Sequence, residues 1–144
     1  MYRFLEYRVS DYMTSAVVTA LPDTPIHELE RRFVLHDFNG FPVVQADGVL
    51  LGVVTKFDVL KAFIFTPNTV VPQYEELSRR TAAEIMTRDV ITFAPDAPLT
   101  RVLQILVDAR VKSFPVLDSG RLVGIIARED VVRALRDAST AGHV

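Results

Sequence analysis

The sequence of 144 residues repeats itself. A shift of 73 places lays Met13-Thr14 on Met86-Thr87, Val17 on Val90, Thr19 on Thr92, Pro22-Asp23 on Pro95-Asp96 and Pro25 on Pro98. The run FPVV from Phe41 then meets FPVL from Phe114. One residue drops out where QADG faces DSG, and from there the shift is 72, with Leu50 on Leu122, Gly52 on Gly124 and Asp58 on Asp130. Such agreement means that one supersecondary unit is written twice. Two copies are too few for a solenoid, so a pair packed with approximate two-fold symmetry is expected. A half of about 55 residues leaves too much apolar surface exposed to stand alone.

Each copy reads alike locally. VVTA and VITF are short β-rich runs, and PDTP and PDAP break them with proline. Helices follow, with Ile26, Leu29, Phe33 and Val34 on one apolar stripe and Leu99, Val102, Leu103 and Leu106 on the other. Pro25 and Pro98 suit the first helical position, where a missing N–H costs nothing. Two strands come next, FPVVQ to VLLGVVT and FPVLD to RLVGIIA, each pair closed by a tight Asp/Gly turn. A last helix starts near Lys56 or Arg128. The order is strand, helix, strand, strand, helix, twice over: an α/β chain. The expected organisation is an N-terminal arm at 1–8, motifs at 9–63 and 81–135, a linker at 64–80 and a tail at 136–144. In the linker, Pro67 and Pro72 favour an extended start and QYEELSRR a short helix. The arm, helical or extended, is expected to pack on the module or on another subunit.

Several function classes fall away. The net charge of −2 argues against a nucleic-acid partner. With no cysteine there is no disulfide framework, thiolate metal site or thiol nucleophile. The opening MYRFLEYRVSDYM is interrupted by charges and does not resemble a signal peptide, and GVLLGVV is too short to span a bilayer. A cytoplasmic protein without membrane insertion is expected. His27, His36 and His143 are scattered, and His36 beside Asp37 reads as a solvated helix face rather than a metal site. The serines lack a GxSxG elbow, and no Gly-rich phosphate loop occurs. Met13 and Met86 are expected to fill core space. No catalytic or metal site is expected, and no enzyme.

The repeated close, GVVTKFDVL from Gly52 and GIIAREDVV from Gly124, carries the remaining chemistry. Thr55 and Asp58 fit a capping box, which needs no ligand. In the second copy Ala127 cannot cap, yet Asp130 remains, and an acid in a first helical turn gains only about 0.3–1 kcal/mol from the helix dipole. The other reading is that each carboxylate accepts two hydrogen bonds from the vicinal hydroxyls of a ribose. Gly52 and Gly124 would then permit close approach of backbone or ligand, and Val53, Val54, Ile125 and Ile126 would line a flat base. A carboxylate turned away from any solvent-reachable hollow, with its oxygens fully occupied by main-chain amides, would leave only the capping reading.

The doubled pattern resembles a CBS-domain pair, or Bateman module, over 9–63 and 81–135. The shared features are a D-x-M-T…V-x-T opening, an F-P-V strand and a glycine–hydrophobic–hydrophobic–Thr/Ser–x–x–Asp close. The resemblance implies tandem β-α-β-β-α motifs with pseudo-two-fold symmetry, a stand-alone regulatory pair and adenosyl ligands in two clefts. It implies that Thr55 and Asp58 clamp ribose in one cleft, Val53 touches the base, and Thr87, Val90 and Ile91 help to hold it. In the other cleft Asp130 and Ile125 take these roles with Thr14, Val17 and Val18. Phosphates would meet Asn39-Gly40 or Lys112-Ser113, with Lys112 the main cation and Arg88, Arg110 and Arg128 nearby in sequence or motif. Ala127 departs from the pattern, and losing a charge-assisted bond of about 1.5–3 kcal/mol is expected to weaken the Asp130 cleft. AMP, ADP, ATP, S-adenosylmethionine and NADH are the candidate regulators. A homodimer and an unidentified protein effector are the expected partners. A ligand-free dimerisation or interaction module is the alternative.

Overall fold

In the computed structural model, which describes residues 2–36, 38–64 and 74–141, the chain forms two compact units. A middle unit spans Val18–Val90, and a terminal unit joins Met1–Val17 to Ile91–Val144. The units therefore cut across the repeats. Each takes its helix, hairpin and final helix from one repeat and an opening segment from the other. Asp37, Pro67, Pro72 and His143 lie outside the described residues.

The middle unit is built on a hairpin of β1 (Gly40–Val44) and β2 (Leu50–Thr55), antiparallel with Phe41 opposite Val54 and Gly40 opposite Thr55. Alternation along β2 turns Val54 into the core and leaves Val53 and Thr55 half-buried on the other face. The core gathers Ile26 and Leu29 of α2 (Ile26–Leu35) with Phe41, Val43, Val54, Val59 of α3 (Lys56–Ala62) and Ala82 of α5 (Ala82–Ile85). Val34 is 86% exposed, outside the stripe expected for it. At about 100° per residue it sits roughly 80° round the helix from Ile26, beyond the buried arc. Pro25, and likewise Pro98 in the second copy, proves to be the residue before the helix, with extended backbone, rather than its first residue. Within the expected linker, α4 covers Tyr74–Ser78.

The terminal unit repeats the plan with β3 (Ser113–Asp118) and β4 (Arg121–Ala127), where Ser113 faces Ala127. Its two-residue turn has φ of 53° at Ser119 and 82° at Gly120, the doubly left-handed geometry that matches strand twist. Leu99, Val102 and Leu106 of α6 (Leu99–Ala109) pack with Phe114, Val116, Ile126 and Val131, Ala134 and Ala138 of α7 (Arg128–Ala141). The N-terminal arm belongs to this core. A 3-10 helix at Tyr2–Glu6 buries Phe4 to 1% exposure, and α1 (Val9–Tyr12) adds Val9. The stretch expected as a tail continues α7 as far as Ala141.

The VVTA and VITF runs do not form the strands expected of them. Each contributes one bridge, Ala20 beside Val43 and Phe93 beside Val116, both parallel. Ala20 N–H donates to Pro42 O and its carbonyl accepts from Val44 N–H, each at 2.9 Å. Extending this parallel ladder one step either way would need an N–H from Pro42 or from Pro22, and proline has none. Pro115 and Pro95 block the second copy in the same way.

Candidate functional site

In both units the outer edge of the hairpin is completed by a residue from the other repeat. Val53 and Thr87 exchange two backbone hydrogen bonds of 2.9 Å, as do Thr14 and Ile125. These pairings need the glycines one residue earlier in β2 and β4. A Cβ on Gly52 would stand 2.6 Å from Thr87 O, and one on Gly124 would stand 2.9 Å from Thr14 O and 2.8 Å from Met13 Sδ. Of the two partners expected for those glycines, backbone or ligand, the structure supplies backbone. Met13 and Met86 pack partly buried against the two cores.

At the junction of β2 and α3, Thr55 has extended backbone and caps the helix. Its Oγ1 accepts from Asp58 N–H at 3.1 Å, while Asp58 Oδ2 accepts from Thr55 N–H at 2.9 Å and from the Thr55 hydroxyl at 3.0 Å. The capping box is real. Asp58 is only 3% exposed, yet its oxygens do not serve amides alone. The Thr87 hydroxyl lies 3.1 Å from Oδ1 and 3.3 Å from Oδ2, and Lys61 Nζ lies 3.8 Å from Oδ1. A buried carboxylate is thus held by one amide, two hydroxyls and an ammonium group.

Asp130, 6% exposed at the junction of β4 and α7, has fewer partners. Oδ2 accepts from Ala127 N–H at 2.8 Å, and Arg133 Nη2 stands 3.3 Å from Oδ1. The same Nη2 donates to Tyr12 O at 3.2 Å, and the guanidinium lies 5.4 Å from the Tyr12 ring centre. The Tyr12 hydroxyl donates to Asp137 Oδ2 at 2.6 Å, and that carboxylate holds the phenol above its usual pKa.

Val53, Thr55, Asp58 and Thr87 come together in the middle unit, which also holds Val90, half-buried. Ile91 falls in the terminal unit, so the structure does not group it with them. In the terminal unit Thr14, Val17, Ile125 and Asp130 share one body, and Val18 falls in the middle unit. Val54 and Ile126, expected to line a base, are buried core residues facing away from Thr55 and Ala127, which leaves Val53 and Ile125 for that face. Asn39 and Lys112 stand at the clamp end of each hairpin, where their carbonyls accept from Lys56 N–H at 3.1 Å and Arg128 N–H at 3.0 Å. Asn39, Lys112 and Ser113 are exposed there.

Lys61 and Arg133 escaped the sequence reading. They lie three residues after Asp58 and Asp130, on the same helical face, and the shift of 72 superposes them. That spacing was the signal. Tyr12 and Asp137 had none, because 125 residues separate them. Among the described residues no group of histidines and acids is placed to hold a metal, and no helix is long and apolar enough to cross a membrane.

Known proteins share this architecture. The family model described as CBS domain matches residues 9–64 and again 82–137. Of the solved structures, the CBS domain pair of protein MJ0100, in complex with 5′-methylthioadenosine and S-adenosyl-L-methionine, has a TM-score of 0.71 and 29% identity, covering 92% of this chain and 98% of that one. The CBS-pair protein CBSX2 from Arabidopsis thaliana has a TM-score of 0.80 and 26% identity, covering 93% and 97%. L-aspartate semialdehyde sulfurtransferase of Methanocaldococcus jannaschii is 31% identical over 126 residues, 87% of this chain but 22% of that protein. The chain spans between 22% and 45% of the length of the first curated relatives it matches. The repeat, the α/β units it builds and two family matches covering most of the sequence all agree: the chain belongs to the CBS domain family, as a tandem pair.

Proposed function

We propose that the chain is a regulatory module that binds an adenosine-containing ligand and signals occupancy to a separate protein or through its own homodimer. The observation that carries this reading is the pair of buried carboxylates. Asp58 and Asp130 each stand in the first turn of a helix that follows directly on a strand, with a cation at i+3, and each of those strands carries a half-buried apolar side chain, Val53 or Ile125. A carboxylate there can accept both hydroxyls of a ribose, and Val53 or Ile125 can meet a base. Thr55 and Val90, with the Thr87 backbone beside Val53, would complete one site, and Thr14 and Val17 the other. Asn39, Lys112 and Ser113 would meet phosphate. The MJ0100 pair, with its two adenosyl ligands, supports this ligand class. Ile91 and Val18 remain proposed base contacts from sequence resemblance alone. Regulation rather than catalysis fits a chain that matches only a fifth of an enzyme's length.

The ligand-free interaction module has one observation in its favour, the completeness of the Asp58 capping box. Calorimetric titration of the protein with AMP, ADP, ATP, S-adenosylmethionine and NADH separates the two readings. Saturable binding that Asp58→Ala or Asp130→Ala weakens supports the sensor. Silence across the panel leaves the interaction module.

A further inference from the structure

We infer that the two carboxylates are unequal: Asp130 is the less occupied ribose acceptor, and at Asp58 a hydroxyl of the protein itself takes the place of a sugar hydroxyl. This inference rests on the adenosine-binding reading and ranks its two sites. A ribose diol brings two O–H donors and needs two acceptor positions within reach. At Asp58 the Thr87 hydroxyl already sits astride both oxygens, at 3.1 and 3.3 Å, where a sugar hydroxyl would sit. Thr55 adds a second hydroxyl and an amide to Oδ2. A sugar must displace the Thr87 contact before it gains its own. The lost bond to a charged group reduces affinity roughly 10- to 100-fold.

Asp130 carries no such plug. Thr14, the counterpart of Thr87, keeps the same backbone pairing to Ile125, but among the described residues its hydroxyl makes no hydrogen bond to Asp130. Ala127 supplies an amide and has no hydroxyl to supply. Among the described residues Oδ1 meets only Arg133, a half-exposed side chain whose guanidinium also holds the Tyr12 carbonyl. The absent hydroxyl at 127, expected to weaken this site, instead leaves its carboxylate less occupied. Arg133 is able to stay beside a charged ligand while the diol takes the remaining acceptor positions.

The test is calorimetric titration of the full chain with AMP and with 5′-methylthioadenosine, comparing wild type with Asp130→Asn, Thr87→Val and the double variant Thr87→Val/Asp58→Asn. Asn keeps a capping acceptor, and thermal melts identify any variant that fails to fold. The expected result is one tight event in the wild type, weakened at least 10-fold by Asp130→Asn. Thr87→Val adds or tightens a second event roughly 10- to 100-fold, and the added Asp58→Asn removes it. A tight event untouched by Asp130→Asn, or a Thr87→Val protein that gains nothing, overturns the ranking while leaving the sensor reading in place. If neither compound binds wild type or Thr87→Val, the adenosine reading falls and the ranking with it.

Discussion

Thr87 Oγ1 stands 3.1 Å from Asp58 Oδ1 although 29 residues of chain separate them. The contact ties the opening segment of the second repeat to the last helix of the first, at the edge where Val53 and Thr87 also share backbone hydrogen bonds. It is therefore part of what closes the middle unit. Thr87→Val keeps the β-branched shape and removes only the hydroxyl. It is expected to lower unfolding free energy by about 1–2 kcal/mol, below the full value of a charge-assisted bond because Thr87 is exposed. Urea denaturation measures it, and an unchanged midpoint would mean that the contact adds no net stability.

Gly52 and Gly124 make the same edge possible, and each faces a threonine carbonyl and a methionine side chain, with the carbonyl nearer at Gly52. Behind Gly52 the nearest atom is a main-chain carbonyl at 2.6 Å, fixed by its pairing to Val53. Behind Gly124 the corresponding carbonyl, Thr14 O, is paired to Ile125 in the same way but stands farther off, at 2.9 Å, beside Met13 Sδ at 2.8 Å. Both alanine variants are expected to lose about 1–3 kcal/mol, with Gly52→Ala the worse. Equal thermal melts for the pair would contradict that ordering.

Phe4 sits in the core of the terminal unit with Leu99, Phe114 and Ala138. An arm that merely decorated the surface would tolerate truncation. Phe4→Ala is instead expected to cost about 3–5 kcal/mol, as for other buried aromatic rings. Hydrogen exchange should show the loss in α6 and α7 while β1 and β2 keep their protection.

The repeat, the main helices, the hairpins and the Thr55–Asp58 capping box were legible because each is local or periodic. Leu99, Val102 and Leu106 fell on the buried stripe as spacing required. The exchange of opening segments between units was legible only through family resemblance, since nothing near Thr14 says that it will pair with Ile125. The β-rich runs at Ala20 and Phe93 have the composition of strands, but the next donors along each ladder are prolines, which composition alone does not reveal. Val54 and Ile126 look apolar enough to line a base, but strict alternation sends them to the core with Phe41 and Phe114.

Glu28 in the first turn of α2 accepts from Arg31 at 2.6 Å and from Arg32 at 3.2 Å. The Arg31 hydrogen bond, with help from Arg32, lowers its pKa from 4.5 to about 2. A carboxyl whose folded value lies below its unfolded one stabilises the fold above the unfolded value. That contribution disappears as pH falls through the folded value. Wild type should therefore melt above Glu28→Gln at pH 7, with the gap closing between pH 4.5 and about 2. A gap independent of pH would assign the effect to something other than this charge.

Ala127→Thr rebuilds in the terminal unit the hydroxyl that Thr55 supplies in the middle one. Ala127 N–H already reaches Asp130 Oδ2 at 2.8 Å, so the added oxygen is positioned to complete the capping box. Capping by threonine rather than alanine is expected to raise stability by about 0.5–2 kcal/mol. Ligand affinity distinguishes two views of that hydroxyl. If it mainly contacts the sugar, AMP binds the variant more tightly. If it mainly occupies the carboxylate, as Thr55 does at Asp58, the variant melts higher and binds AMP more weakly. The second outcome is expected, because Asp130 Oδ2 would then hold a hydroxyl and an amide before any sugar arrives. Thermal melts and calorimetry on the single variant read both quantities, and a protein both more stable and tighter-binding would reverse the argument.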